Sequence, residues 1–185
     1  MDYLYDFIER KQYMEQLRSL KDQNIIKVIS GVRRCGKSTL LVMFAEELKN
    51  NGVSENQVQF YNFEDLDTLA IGDIYQIHAY IKERLVADKT NYIFLDEIQN
   101  VKDFQRLVDS LYIKPNVDVY ITGSNAYMLS GELATLLTGR YIELNMLPLQ
   151  FSEYYEFISS KSPNLSKMET LANFMHFGAI PQYNK

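Results

Sequence analysis

Short apolar runs alternate with segments of helical period along most of the chain. Five runs have strand character: "IIKVIS" (25–30), "VQFYNF" (58–63), "YIFLD" (92–96), "VDVYIT" (117–122) and "RYIELN" (140–145). Several are apolar without alternation, the pattern of parallel strands covered on both faces. Helical stripes lie between them. Leu40, Phe44 and Leu48 recur at every fourth position, and Gly52 stands where a helix C-terminal glycine belongs. Asp73 is placed to cap a helix carrying Ile74, Ile77, Ile81 and Leu85 on one face. Phe104, Leu107 and Leu111 form a third stripe, ending before Pro115, and Leu129, Leu133 and Leu137 a fourth. The βαβαβαβαβ order predicts an α/β fold: a parallel five-stranded sheet sandwiched by helices, with right-handed crossovers.

After Pro148 the pattern turns wholly helical. Phe151, Tyr154, Tyr155 and Ile158 share a face, and "SKME" (166–169) matches a capping box ahead of a helix reaching about residue 177. The aromatics of "FSEYYEF" have the spacing of a packed helical face, with stacking on a base as the alternative. The expected organisation is a core over 1–149, with an N-terminal helix, and a helical segment over 150–185. The chain closes on "GAIPQYNK", a turn-like ending that reads as a longer protein cut short.

Composition narrows the class. The 185 residues suffice for one well-buried domain, and 46% hydrophobic with 23% charged residues is ordinary for a globular protein. A net charge of −5 argues against nucleic acid or anionic lipid as a partner of the bulk surface. The single cysteine, Cys35, excludes an internal disulfide and fits a reducing compartment. The start "MDYLYDFIER" is unlike a secretory signal, and no apolar run approaches the ~20 residues of a membrane helix. A soluble cytoplasmic protein is expected.

The chemistry concentrates in "VISGVRRCGKSTLL" (28–41), where Gly31, Gly36, Lys37 and Ser38 satisfy G-x-x-x-x-G-K-[ST] after a strand and before a helix. In that setting the loop Gly31, Val32, Arg33, Arg34, Cys35, Gly36, Lys37, Ser38 and Thr39 wraps phosphate with backbone N–H groups and the positive end of a helix. Lys37 would reach the β- and γ-phosphates and Ser38 would ligate Mg²⁺. Arg33 and Arg34 either steer phosphate or pair with a neighbouring element. Cys35 lies by the helix start, a position that tends to lower a thiol pKa, but the favoured reading is a small residue that simply fits.

"YIFLDEIQN" (92–100) ends a strand in two acids. Asp96 is placed to hold Mg²⁺, and Glu97 to act as the base on an attacking water. No Asn-Lys-x-Asp guanine signature is present, so ATP/ADP is the expected nucleotide. Ser124 or Asn125, in "YITGSNAYML", would lie beside that strand and help hold the water, with simple turn chemistry as the rival. Arg140 is placed to reach a second subunit's nucleotide or to pair with a carboxylate.

These parts together resemble the AAA+ ATPases, and within them a prokaryotic group with the loop G-x-R-R-x-G-K-[ST], T-G-S after strand four, "GR" before strand five and a "LPLxFxE" stretch. Here they read "GVRRCGKST", "TGS", "TGR" and "LPLQFSE" (147–153), spanning Arg10 to Pro181. The resemblance implies Walker A at Gly31–Thr39, Walker B at Asp96 and Glu97, sensor 1 at Ser124–Asn125 and an arginine finger at Arg140. It places on Asn62 the polar residue that in some members restrains the catalytic glutamate. It further implies that a nuclease-like domain follows a "GG-P" signature similar to Gly178–Pro181. The functional expectation is Mg-dependent ATP hydrolysis coupled to conformational change, in a homo-oligomer or with a protein partner. Nucleic acid would enter only through a missing C-terminal domain. A nucleotide-gated switch with little turnover is the alternative; a small-molecule kinase, lacking an arginine-rich lid, is weaker.

Overall fold

Each predicted run forms a strand: β1 (Ile26–Gly31), β2 (Val58–Asn62), β3 (Asn91–Asp96), β4 (Val117–Ser124) and β5 (Tyr141–Met146). All pair in parallel, in the order β2-β3-β4-β1-β5. The computed structural model describes residues 8–124, 137, 139–162 and 164–177. Asn125, Leu129, Leu133 and the Gly178–Pro181 stretch lie outside the described residues, as does the side chain of Ser124.

Strand alternation divides the core into two layers. Ile26 and Val28 of β1, Ile93 and Leu95 of β3, and Val119 and Ile121 of β4 face one side. There α4 (Ile74–Glu83) supplies Ile77 and Ile81, and α5 (Phe104–Tyr112) supplies Leu107, Val108 and Leu111. The opposite face presents Ile29, Tyr92, Phe94, Tyr120 and Leu144 to α1 (Lys11–Leu20) and α2 (Lys37–Asn50), which bury Leu17, Leu40 and Phe44. Both faces are therefore covered, which is why the strands read as continuous apolar runs.

Helix ends follow the sequence signals. Asp73 Oδ1 accepts from the N–H groups of Tyr75 (2.9 Å) and Gln76 (3.0 Å), and Gln76 Oε1 returns the bond to Asp73 N, closing a capping box. Gly52, at φ 92°, lets Val53 N reach Leu48 O (3.0 Å) and ends α2. A one-turn α3 (Leu66–Leu69) follows β2.

Beyond β5, α6 (Phe151–Lys161) and α7 (Lys167–Phe177) pack through the rings of Phe151, Tyr154 and Phe174. Part of the aromatic stripe of "FSEYYEF" is thus a helix-packing seam. Ser166 and Glu169 form the expected box at the start of α7. Among the described residues no helix is long and apolar enough to cross a membrane.

Candidate active site

The strand order decides where the chemistry sits. Successive strands β1 and β2 are separated in the sheet by β3 and β4, and ligands of open parallel sheets bind beyond the carboxyl ends of strands where the order reverses. The loop after β1 and the acids ending β3 therefore flank the end of β4.

Two glycines shape the loop. A Cβ on Gly31 would stand 2.3 Å from Met146 O of β5, so only glycine lets the chain leave β1 at this point. Gly36 lies at φ 103°, in the region that favours glycine, and passes the chain into α2. Arg34, at φ 69°, tightens the curl. Val32 and Arg33 are exposed, and Arg33 Nη2 lies 3.5 Å from Glu64 Oε1, both side chains open to solvent. Thr39 is half-buried in the first turn of α2.

Cys35 is the small residue that fits the loop, not an activated thiol. It is fully buried, and burial pushes the thiol up against the pull of Lys37 and Arg10. Its carbonyl oxygen accepts from Arg10 Nη1 (3.3 Å). The other Arg10 nitrogens reach Leu147 O (3.0 Å) and Glu153 Oε1 (2.7 Å). Arg10, only 4% exposed, thus joins the loop to the connection between β5 and α6.

The two acids occupy different environments. Ser38 Oγ donates to Asp96 Oδ1 at 3.0 Å, and Thr122 Oγ1 donates to the same oxygen at 2.5 Å. Burial pushes the Asp96 carboxyl above its usual range, opposed by those two hydroxyls. Thr122 Oγ1 also accepts from Glu97 N–H (2.8 Å), fixing a residue whose φ of 51° is unusual away from glycine. Glu97 Oε1 faces Lys37 Nζ at 3.5 Å, and Glu97 Oε2 accepts from Gln99 Nε2 at 2.5 Å. Lys37, 3% exposed, also has its Nζ 3.4 Å from the carbonyls of Gly31 and Val32.

A divalent cation fits this donor set. Ser38 and Asp96 offer hard oxygens side by side, the ligands of a Mg²⁺ ion that takes its remaining partners from phosphate and water. Among the described residues no three His, Cys, Asp or Glu side chains gather to hold a metal unaided. An ion held there would need further oxygens from a bound phosphate and water.

Arg140 stands apart. Its carbonyl accepts from Ile26 N (2.8 Å), at the end of β1 opposite the loop, so about 16 Å of strand separates it from the phosphate site. Its guanidinium pairs with Asp109 of α5, both side chains exposed. Asn62 turns its amide oxygen to Glu64 N (2.9 Å), whereas the side-chain amide on Glu97 is that of Gln99. Thr122, Gln99 and Arg10 were not legible as site residues. Thr122 and Gln99 lie within the "TGS" and "LDEIQN" stretches, and that adjacency was the available signal.

A family model described as an AAA domain matches residues 23–155. An uncharacterized protein of Haemophilus influenzae is 38% identical over 175 residues, covering 94% of this chain and 44% of that protein. The chain spans less than half the length of the curated relatives it matches. The Walker-type ATPase of Pyrococcus abyssi superposes with a TM-score of 0.58 at 17% identity, over 95% of this chain and 65% of that one. AMPPCP-bound DnaA from Aquifex aeolicus gives 0.63 at 13% identity, over 93% and 56%. At such identities the likeness is one of fold. Since the family model spans most of the chain and carries both the loop and the acids, the chain belongs to the AAA domain family of P-loop ATPases.

Proposed function

We propose that the chain binds ATP with Mg²⁺ and hydrolyses it, and that turnover drives a conformational change in an attached domain or a protein partner. The observation that carries this reading is the meeting of four side chains at one end of the sheet. Ser38 bonds Asp96, and Lys37 faces Glu97.

The roles follow from that geometry. Loop N–H groups and the start of α2 receive the phosphates. Lys37 turns from the Gly31 and Val32 carbonyls to the β- and γ-phosphates. Ser38 and Asp96 hold Mg²⁺, which when bound neutralises charge on the phosphate oxygens. Glu97 accepts a proton from water as its oxygen bonds the γ-phosphorus; the bond to the bridging oxygen breaks and its electron pair leaves with ADP. Ser124 or Asn125 assists in holding that water. The α6–α7 pair, tied to the loop through Arg10, serves as the beginning of a lid that carries the motion outward.

Arg140 acts in trans on a neighbouring subunit's nucleotide. An exposed ion pair such as Arg140–Asp109 is worth at most about 1 kcal/mol, so phosphate competes for the guanidinium easily. The engagement of Glu97 by both Lys37 and Gln99 favours one second reading, a switch that holds nucleotide with little turnover.

Glu97→Gln separates the two. Under hydrolysis it retains Mg-ATP affinity and loses turnover by about 10²–10⁴-fold, the usual share of a positioned base. Equal phosphate release by the variant and the wild-type chain would refute the assignment of the base.

A further inference from the structure

Gln99 carries a polar atom with no partner. Its Oε1 is buried and accepts no hydrogen bond from the described residues. The amide cannot be turned to relieve this, because Nε2 must face Glu97: an ionised carboxylate only accepts, and an oxygen there would repel it. A buried acceptor left unpaired is costly, so this orientation calls for a donor. Gln99 and Glu97 line the same recess, together with Arg33, Glu64 and Asn100. A donor entering that recess comes in beside the carboxylate.

We infer that Gln99 is a second water-holding residue of the hydrolytic site, its Oε1 accepting one hydrogen of the attacking water while Glu97 Oε1 accepts the other. The inference rests on the reading of Glu97 as the base. A single water satisfies both acceptors, since it has two hydrogens to donate and keeps a lone pair for phosphorus. Glu97 Oε1 is the free choice because Oε2 is already held by Gln99 Nε2. When Lys37 moves to phosphate, Oε1 is released to the water. Gln99 thus anchors the base through one amide atom and orients the nucleophile through the other. In the overall step the water oxygen joins the γ-phosphorus, the bridging oxygen departs with its electron pair, and the abstracted proton rests on Glu97 before passing to solvent.

The test is steady-state ATP hydrolysis by wild type, Gln99→Met and Gln99→Glu, with Mg-ATP affinity measured separately. Gln99→Met should lower kcat by about 10–100-fold, in line with losing one oriented contact in an active site, and leave nucleotide affinity within a factor of about three. Gln99→Glu keeps an acceptor but loses the Nε2–H donor that holds Glu97 Oε2, so its kcat should also fall by at least about 10-fold, and it supplies the answer should Gln99→Met fail to fold. A wild-type kcat in both variants would overturn the inference while leaving Glu97 as base. So would a loss confined to nucleotide affinity. Hydrolysis by wild type that Glu97→Gln leaves untouched would overturn both assignments.

Discussion

Thr122 shows how much one hydroxyl organises. It is fully buried in the middle strand, donates to Asp96 and accepts from the Glu97 N–H, so it holds the two candidate acids in a single geometry. Thr122→Val keeps the shape and removes both bonds. It should lower phosphate release by about 10–100-fold, because both acids lose their orientation, and cost about 1–3 kcal/mol in urea unfolding through the unpaired Glu97 N–H. Unchanged turnover would mean that the left-handed turn at Glu97 is held by other contacts. The identities of Lys37, Ser38, Asp96 and Glu97 were legible from the sequence because loop spacing and a strand ending in acids are local signals. Thr122 was not. Its partner is 26 residues away, and its importance appears only once β4 is known to insert between β1 and β3.

At the scale of elements, the sheet carries a polar knot at the end opposite the nucleotide site. Lys27 of β1 is fully buried and pairs with Asp118 of β4, which also accepts from Asp22 N (2.9 Å) and Tyr120 Oη (2.9 Å). Tyr92 of β3 donates to Asp22 Oδ1 (2.7 Å), so three strands and the turn after α1 share one network. Burial lowers the Lys27 pKa and raises that of Asp118, with each partner opposing the shift of the other. Asp118→Ala leaves the ammonium buried and uncompensated, and should destabilise the fold by about 3–5 kcal/mol in denaturant titration. A loss below about 1 kcal/mol would mean that Lys27 escapes to solvent or sheds its proton freely. Strand and helix positions were legible here: the apolar runs, the Asp73 cap and the Ser166 box all act over a few residues. The order of the strands was not, since parallel strands buried on both faces share one pattern and Lys27 reads as a lone charge inside an apolar run.

For the molecule as a whole, the structure joins a phosphate loop to the α6–α7 pair through Arg10 and sets Arg140 at the far end of the sheet. The chain covers under half the length of the curated relatives it matches. Phosphate release from Mg-ATP, followed over a wide range of protein concentration, decides whether this domain hydrolyses nucleotide. Mg-dependent release should be measurable throughout, with a rate per chain that climbs as subunits meet and Arg140 reaches a neighbour's nucleotide. A flat rate would keep the hydrolytic site and remove the role in trans. Tight nucleotide binding with no phosphate released at any concentration would rule out hydrolysis by this domain.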